Sequence, residues 1–148
     1  PVLINSNFKC NYFINREKLF NLLKYKYKIH SIFDPCSYPG IQSKFYYNRN
    51  KKIQDGVCNC DGKNCGTIHK KQRKKEHCNE ISFMIFRTGS ILIVGKCDET
   101  ILKNIYNYLV DLLTKEYDTI SINEVVTQEQ PAKKRGRLSK KKKIIICQ

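Results

Sequence analysis

The sequence predicts an α+β protein in which an antiparallel sheet carries two helices on one face, in the order β-α-β-β-β-β-α, with a Cys-rich insertion. Short apolar segments bounded by Gly, Pro and Asn predict the strands, and two segments with apolar residues at helical spacing predict the helices. At 148 residues the chain has the length of one domain. Because it lacks both a run of 18 apolar residues and a leader-like start, we expect neither a membrane span nor a secretory signal.

The first half of the chain is predicted to contain three strands and one helix. Asn15 is placed to cap the helix, because its side chain can accept from the first turn. Breakers fill residues 34–40, so a turn is expected there. The predicted elements are strands over residues 2–10, 28–33 and 41–47 and a helix over residues 16–26.

The second half is predicted to contain a hairpin and a long helix. Strands over 81–86 and 91–94 are joined by the short Gly-containing connection 87–90. Asp98 caps a helix that runs to about Tyr117, with apolar residues at helical spacing. A final strand is expected over residues 119–126.

The predicted organisation is one repeat over residues 1–126, interrupted by a polar insertion at 49–78 and followed by a linker and basic tail at 127–148. The formal net charge is +15, of which the insertion carries +6 and residues 131–148 carry +8. Such basic segments on a nearly neutral body favour a polyanionic partner, because Lys and Arg displace counterions from phosphates. A solubilising tail is the alternative for the last segment.

Four of the eight cysteines lie inside the insertion, which is typical of metal binding in a reducing compartment. Cys58, Cys60, Cys65 and Cys78 could form a structural zinc site of four thiolates, with His69 and His77 as substitute ligands. The spacing is not that of two Cys-x-x-Cys pairs. Thiols in a flexible basic loop therefore stay an alternative.

Both faces of the predicted sheet contain apolar residues, yet two helices cover only one face. By strand parity, Met84 shares a face with Phe86, whereas Phe83 and Ile85 point to the other face. An uncovered apolar face favours a partner surface. Alternatively, an upstream half or a second copy covers it.

Several short motifs keep a characteristic order and spacing from the helices: Val2-Leu3-Ile4-Asn5, Tyr38-Pro39-Gly40-Ile41, Ile81 to Phe86 followed by Thr88-Gly89, Ile91 to Gly95, and the closing helix. Together they resemble the second repeat of the TATA-box-binding protein family, in the divergent form of large cytoplasmic DNA viruses. The resemblance covers roughly residues 2–117 and implies a half-saddle, whose concave sheet face lies on the minor groove while its helices face other transcription factors.

The resemblance assigns roles to individual positions. Tyr38 and Phe86 match an aromatic pair that wedges into a base step, although the family has Phe at both positions. Asn5 matches an Asn that hydrogen-bonds base edges, and Lys44 stands where the family carries an Arg to phosphate. Leu92 and Val94 match groove-facing positions of the family. The expected DNA-binding set also includes Ile41 and Met84, and the tail residues Lys133, Lys134, Arg135 and Arg137, whose Arg-Gly-Arg core resembles part of an AT-hook, a short minor-groove motif.

Each role has a structural alternative. Tyr38 and Phe86 could be core aromatics, Asn5 a residue of a strand-end turn, and Lys44 a solvated side chain. The tail could be a localisation signal or a nonspecific tether to DNA.

The expected function is a DNA-binding transcription initiation factor, without catalysis, since no convincing catalytic set is present. The alternatives are a protein-interaction adaptor that has lost DNA binding and a non-catalytic accessory domain of a DNA-processing enzyme. Expected partners are double-stranded DNA, other initiation factors, RNA polymerase, and a second repeat or a dimer partner that completes the saddle. The expected location is the nucleus or, for a viral protein, the host cytoplasm or the virion.

Overall fold

The computed structural model describes residues 2–58 and 78–123. These residues form an α+β structure built on a five-stranded antiparallel sheet. The elements in chain order are β1 Val2–Lys9, β2 Phe13–Ile14, α1 Arg16–Asn21, a π-helical segment Leu22–Lys26, β3 His30–Ile32, β4 Ile41–Tyr47, β5 Asn79–Ile85, β6 Ser90–Cys97, α2 Glu99–Lys115, α3 Tyr117–Ile120 and β7 Ser121–Ile122.

The strand order in the large sheet is β1-β6-β5-β4-β3. The first and third strands of the chain therefore lie at opposite edges, and α1 with the π-helical segment connects them. Strand β4 pairs with β5 although the Cys-rich insertion separates them in sequence. The insertion therefore does not interrupt the sheet.

One face of the sheet, called here the covered face, forms the core with the helices. Phe45 of β4 and Phe83 of β5 are fully buried there, together with Leu19 of α1. The ring of Phe45 meets the ring of Tyr108 of α2 edge-on, with centroids 5.1 Å apart. Burial of these apolar side chains is the main favourable contribution to folding.

The helix starts agree with the sequence. The Asn15 side chain accepts from the backbone N–H of Lys18 at 3.1 Å, and the Asp98 side chain accepts from that of Ile101 at 2.9 Å. Each cap satisfies a backbone donor that the first turn leaves without a helical partner. Within the described ranges, none of the helices combines the length and apolar composition needed to span a bilayer.

The predicted elements need correction at one strand, and they omit another. The final strand predicted over 119–126 is wrong at its start, because Thr119 and Ile120 belong to α3, and β7 is only two residues long. Its partner β2 was not predicted, because two residues are too few to show the alternation of apolar and polar residues that indicates a strand. Residues 124–126 and the tail 127–148 lie outside the described residues, as do residues 59–77 of the insertion.

Candidate functional site

The face opposite the core is called here the open face. Along β4, Ile41, Ser43 and Phe45 are buried, whereas Gln42 is exposed and Lys44 is half-buried. Strand β5 shows the same alternation. The predicted parity of Phe83, Met84 and Ile85 is confirmed.

The strand register arranges the open face in two transverse rows that cross all five strands. Two strands contribute the apolar middle of the face, β5 with Met84 and β6 with Leu92 and Val94, while amide and basic side chains lie toward its two sides. The first row is Asn5, Val94, Ser82, Lys44 and His30, and the second is Asn7, Leu92, Met84, Gln42 and Ile32. Five predicted site residues, Asn5, Lys44, Met84, Leu92 and Val94, therefore share one surface.

A shallow depression of about 380 Å³ lies on this face. Its lining includes Met84 and Val94 in the middle and His30 and Lys44 toward the β3 edge. The surface is thus apolar at its centre and polar toward the β3 edge.

The predicted aromatic pair lies beside the middle of the second row, because Phe86 stands two residues after Met84, just past the end of β5. The ring centroids of Tyr38 and Phe86 are 5.9 Å apart and the rings are tilted by 58°. Gly40 makes this approach feasible, because a Cβ there would lie 3.0 Å from Phe86 Cε1 and 3.1 Å from Tyr38 Cε1. The Tyr38 hydroxyl donates to Met84 Sδ at 3.5 Å, which joins the pair to the open face.

The turn that carries Tyr38 is held at both ends. Asp34 accepts from the backbone N–H of Cys36 at 3.1 Å and from the Ser37 hydroxyl at 2.7 Å. These bonds, that of the Ser37 hydroxyl first, hold the pKa of Asp34 below its usual value, because they stabilise the charged form. At the other end, the Arg16 guanidinium donates to the Pro39 carbonyl. The orientation of Tyr38 thus follows from a fixed turn.

The environment of Lys44 differs from the expectation of a phosphate contact. Its ammonium lies 2.8 Å from Glu80 Oε1, and both side chains are partly exposed. This hydrogen bond raises the pKa of Lys44, because it stabilises the ammonium form. A phosphate that contacts Lys44 must therefore compete with a carboxylate.

Ile41 is a correction to the predicted site. Its side chain is fully buried on the covered face, and its backbone is opposite that of Ile85. Because strand residues alternate between faces, Ile41 cannot share a face with Lys44 three positions later. Asn7, Gln42, Ser82 and Glu80, which the sequence analysis missed, were accessible to the same parity argument.

Of the predicted thiolate set, only Cys58 and Cys78 belong to the described residues. Their Sγ atoms are 3.8 Å apart, too far for a disulfide bond. The Asn48 side-chain amide donates to Cys78 Sγ at 3.9 Å. Within residues 2–58 and 78–123, no group of three or more His, Cys, Asp or Glu side chains is arranged to hold a metal.

The remaining predicted site residues lie outside the described part of the chain. They are Cys60 and Cys65 of the insertion and Lys133, Lys134, Arg135 and Arg137 of the tail. Comparison of the sequence with protein-family models and with curated proteins, and of the fold with solved structures, found no significant match.

Proposed function

We propose that this protein is a DNA-binding transcription initiation factor of the TATA-box-binding type, which places its open face on the minor groove of promoter DNA. The observation that carries the proposal is the pair of transverse rows, with the Tyr38–Phe86 pair beside Met84 of the second row. The proposal gives one role, contact with the minor groove, to the predicted site residues that lie on the open face.

The chemistry of the rows suits a minor groove. At A·T pairs this groove offers mainly the acceptors adenine N3 and thymine O2, so amide donors from Asn5 and Asn7 are complementary to it. The apolar centre formed by Leu92 and Met84 fits a groove that is read largely by shape and deformability. Phe86 is half-buried and adjoins this centre, where it can enter an unstacked base step.

The finer part of the proposed fold is a curved half-saddle. Strand β1 is an edge strand of the sheet, with Val2 71% exposed and Leu3 69% exposed. Unpaired edges with exposed apolar side chains are templates for further strand pairing. We propose that a second repeat or a second copy pairs there, and that the helices face other initiation factors and RNA polymerase.

The experiment uses two Asn→Asp variants that add the same charge at exposed positions. Asn5 lies on the open face and Asn107 on α2. We expect N5D to weaken binding to a TATA-containing duplex about tenfold or more. The new carboxylate repels the DNA phosphates, and the substitution removes an amide donor. N107D should bind like the wild type in fluorescence anisotropy. Equal effects of the two variants would contradict the proposal.

A second candidate is the adaptor that does not bind DNA. The observation that favours it is the Lys44–Glu80 ion pair, which lowers the positive charge of the open face. Wild-type protein that binds neither a TATA-containing nor a scrambled duplex, while remaining folded, would select this candidate. Binding that prefers the TATA duplex would exclude it.

We also propose that the insertion binds one structural zinc ion. Two thiolates bound to one tetrahedral zinc at about 2.3 Å lie roughly 3.8 Å apart. The separation of Cys58 Sγ and Cys78 Sγ is 3.8 Å, and Asn48 donates to Cys78 as an outer-shell residue would. Cys60 and Cys65 remain the sequence-based candidates for the other ligands.

Metal analysis of protein purified under reducing conditions tests this site. We expect about one zinc per chain, and a large loss in a C58S/C78S variant. A C36S variant is the matched control, because Cys36 is exposed and lies in the 34–40 turn. Wild-type protein without zinc would contradict the proposal.

A further inference from the structure

A second depression, of about 300 Å³, adjoins the end of the sheet that carries the aromatic pair. Two arginines from distant parts of the sequence line it, Arg16 of α1 and Arg87 of the β5–β6 connection. Phe33 and Pro35 form part of its wall. The depression is therefore both basic and bounded by the segment that leads to Tyr38.

Both guanidinium groups lie over aromatic rings. The Cζ atom of Arg16 is 5.2 Å from the centroid of Phe33, and that of Arg87 is 5.7 Å from the centroid of Phe13. A guanidinium stacked on a ring keeps its N–H donors in one plane. It therefore loses little side-chain conformational entropy when it binds an anion. Arg16 has five such donors, so its bond to the Pro39 carbonyl does not exhaust them.

The two arginines flank the aromatic pair. Arg16 contacts Pro39, which follows Tyr38 directly, and Arg87 follows Phe86 directly. A duplex whose base step meets the rings brings its phosphates to this end of the sheet. Guanidinium groups match phosphate geometry better than ammonium groups do.

We infer that Arg16 and Arg87 form a phosphate-binding site that holds the DNA backbone beside the base step met by Tyr38 and Phe86. The inference rests on the proposed function and deepens it, because it assigns the backbone contacts that fix the register of the aromatic pair. Backbone contacts of this kind position a protein on a duplex without reading sequence.

The test is the salt dependence of duplex binding. Each phosphate contact contributes about 0.9 to the slope of log K against log salt, so the R16Q/R87Q variant should lose about 1.8 from the magnitude of that slope. The K103Q/K115Q variant is the matched control. It removes two positive charges from exposed positions on α2, and its slope should stay close to that of the wild type.

Two further variants separate binding from folding. R16K/R87K keeps both positive charges but replaces the planar guanidinium groups by ammonium groups. It should therefore keep most of the dependence of log K on log salt while binding the duplex more weakly than the wild type does. R87Q alone should lose about 0.9 from the slope and should remain folded at the assay temperature, because Arg87 is exposed. A loss seen only in variants of Arg16, together with a lower melting temperature, would overturn the inference.

Glu17 supplies a probe of opposite sign, since its carboxylate also lines the depression. E17Q should tighten duplex binding, and unchanged affinity would count against the site.

The proposed function and the proposed phosphate site fail in different ways. If the wild type binds DNA and R16Q/R87Q behaves like K103Q/K115Q, only the phosphate site is lost, whereas no binding by the wild type removes the proposed function itself.

Discussion

The hydroxyl of Tyr38 has a partner inside the protein, the sulfur of Met84. A thioether is a weak acceptor, so this bond orients the ring without fixing it strongly. Tyr38 can therefore lose the contact at small cost when a duplex approaches. The departure from Phe at this position is compatible with an aromatic pair that acts on DNA.

Glu80 is expected to limit the affinity of the open face for DNA. Replacing Glu80 by Gln removes the carboxylate that binds Lys44 at 2.8 Å. We expect E80Q to bind duplex DNA up to about fivefold more tightly, since exposed ion pairs are worth about 0.2–1 kcal/mol. Anisotropy titration measures this, with E99Q on α2 as control. An equal gain in E99Q would show only a general effect of charge.

Gly56 closes the segment after β4 over the core, and its φ of 76° lies in the left-handed region. A Cβ there would lie 2.5 Å from Ile29 Cδ1 and 2.7 Å from Phe45 Cδ2. We expect G56A to lower the free energy of unfolding by about 2–4 kcal/mol, through backbone strain and overpacking. Urea denaturation tests this, with K52A in the same loop as control. Equal stability of the two variants would be inconsistent with the described packing.

Periodic elements were predicted well, whereas elements that depend on distant partners were not. Strand β4 has the bounds predicted for it, because breakers precede it and a polar segment follows it. Strands β2 and β7 exist because Phe13 pairs with Ile122, more than 100 residues away. No local pattern encodes such a pair.

The candidate site was predicted in the same uneven way. Alternation placed Met84 correctly, whereas the resemblance of the Pro-Gly motif placed Ile41 on the open face, against the alternation of β4. The Lys44–Glu80 pair could not be predicted, because it depends on the β4–β5 register across the insertion. Likewise, sequence alone does not bring Arg16 and Arg87 into one depression.

The π-helical segment is joined to the end of α2 by Glu116. The Glu116 carboxylate accepts from Lys26 Nζ at 2.5 Å and from the Tyr27 hydroxyl at 2.6 Å. These bonds, that of Lys26 first, hold the pKa of Glu116 below its usual value of 4.5. Because the folded-state pKa is the lower one, the resulting stability is present above the unfolded-state pKa and is lost as pH falls through the folded-state pKa.

The E116Q variant tests this connection. At neutral pH it should be less stable by about 1–3 kcal/mol, the usual range for hydrogen bonds to charged groups. As pH falls through and below the usual glutamate pKa of 4.5, the wild type should lose stability more steeply than E116Q, because the pKa of Glu116 is lowered in the folded state. Thermal unfolding across this range measures both effects, with exposed Asp111→Asn as control. Parallel curves for wild type and E116Q would contradict the assignment.

More than half of the net charge of +15 belongs to residues 131–148, which carry eight basic and no acidic side chains. Deleting this tail should make the salt dependence of DNA binding clearly shallower without changing the preference for one duplex over another. Binding of both proteins to TATA-containing and scrambled duplexes in a salt series measures this. A change in preference would show that the Arg-Gly-Arg segment reads sequence.

The central claim is that the open face holds a duplex that Phe86 deforms. The most direct measurement is the bending of a TATA-containing duplex by fluorescence transfer between end labels, together with thermal unfolding, for wild type and F86A. Exposed Tyr25→Ala on the π-helical segment is the control. We expect F86A to lose bending and about 1–3 kcal/mol of binding, the range of base–aromatic stacking, while losing less stability than the roughly 3–5 kcal/mol of a core Phe. A large loss of stability with unchanged bending would contradict the account, because Phe86 would then be a packing residue.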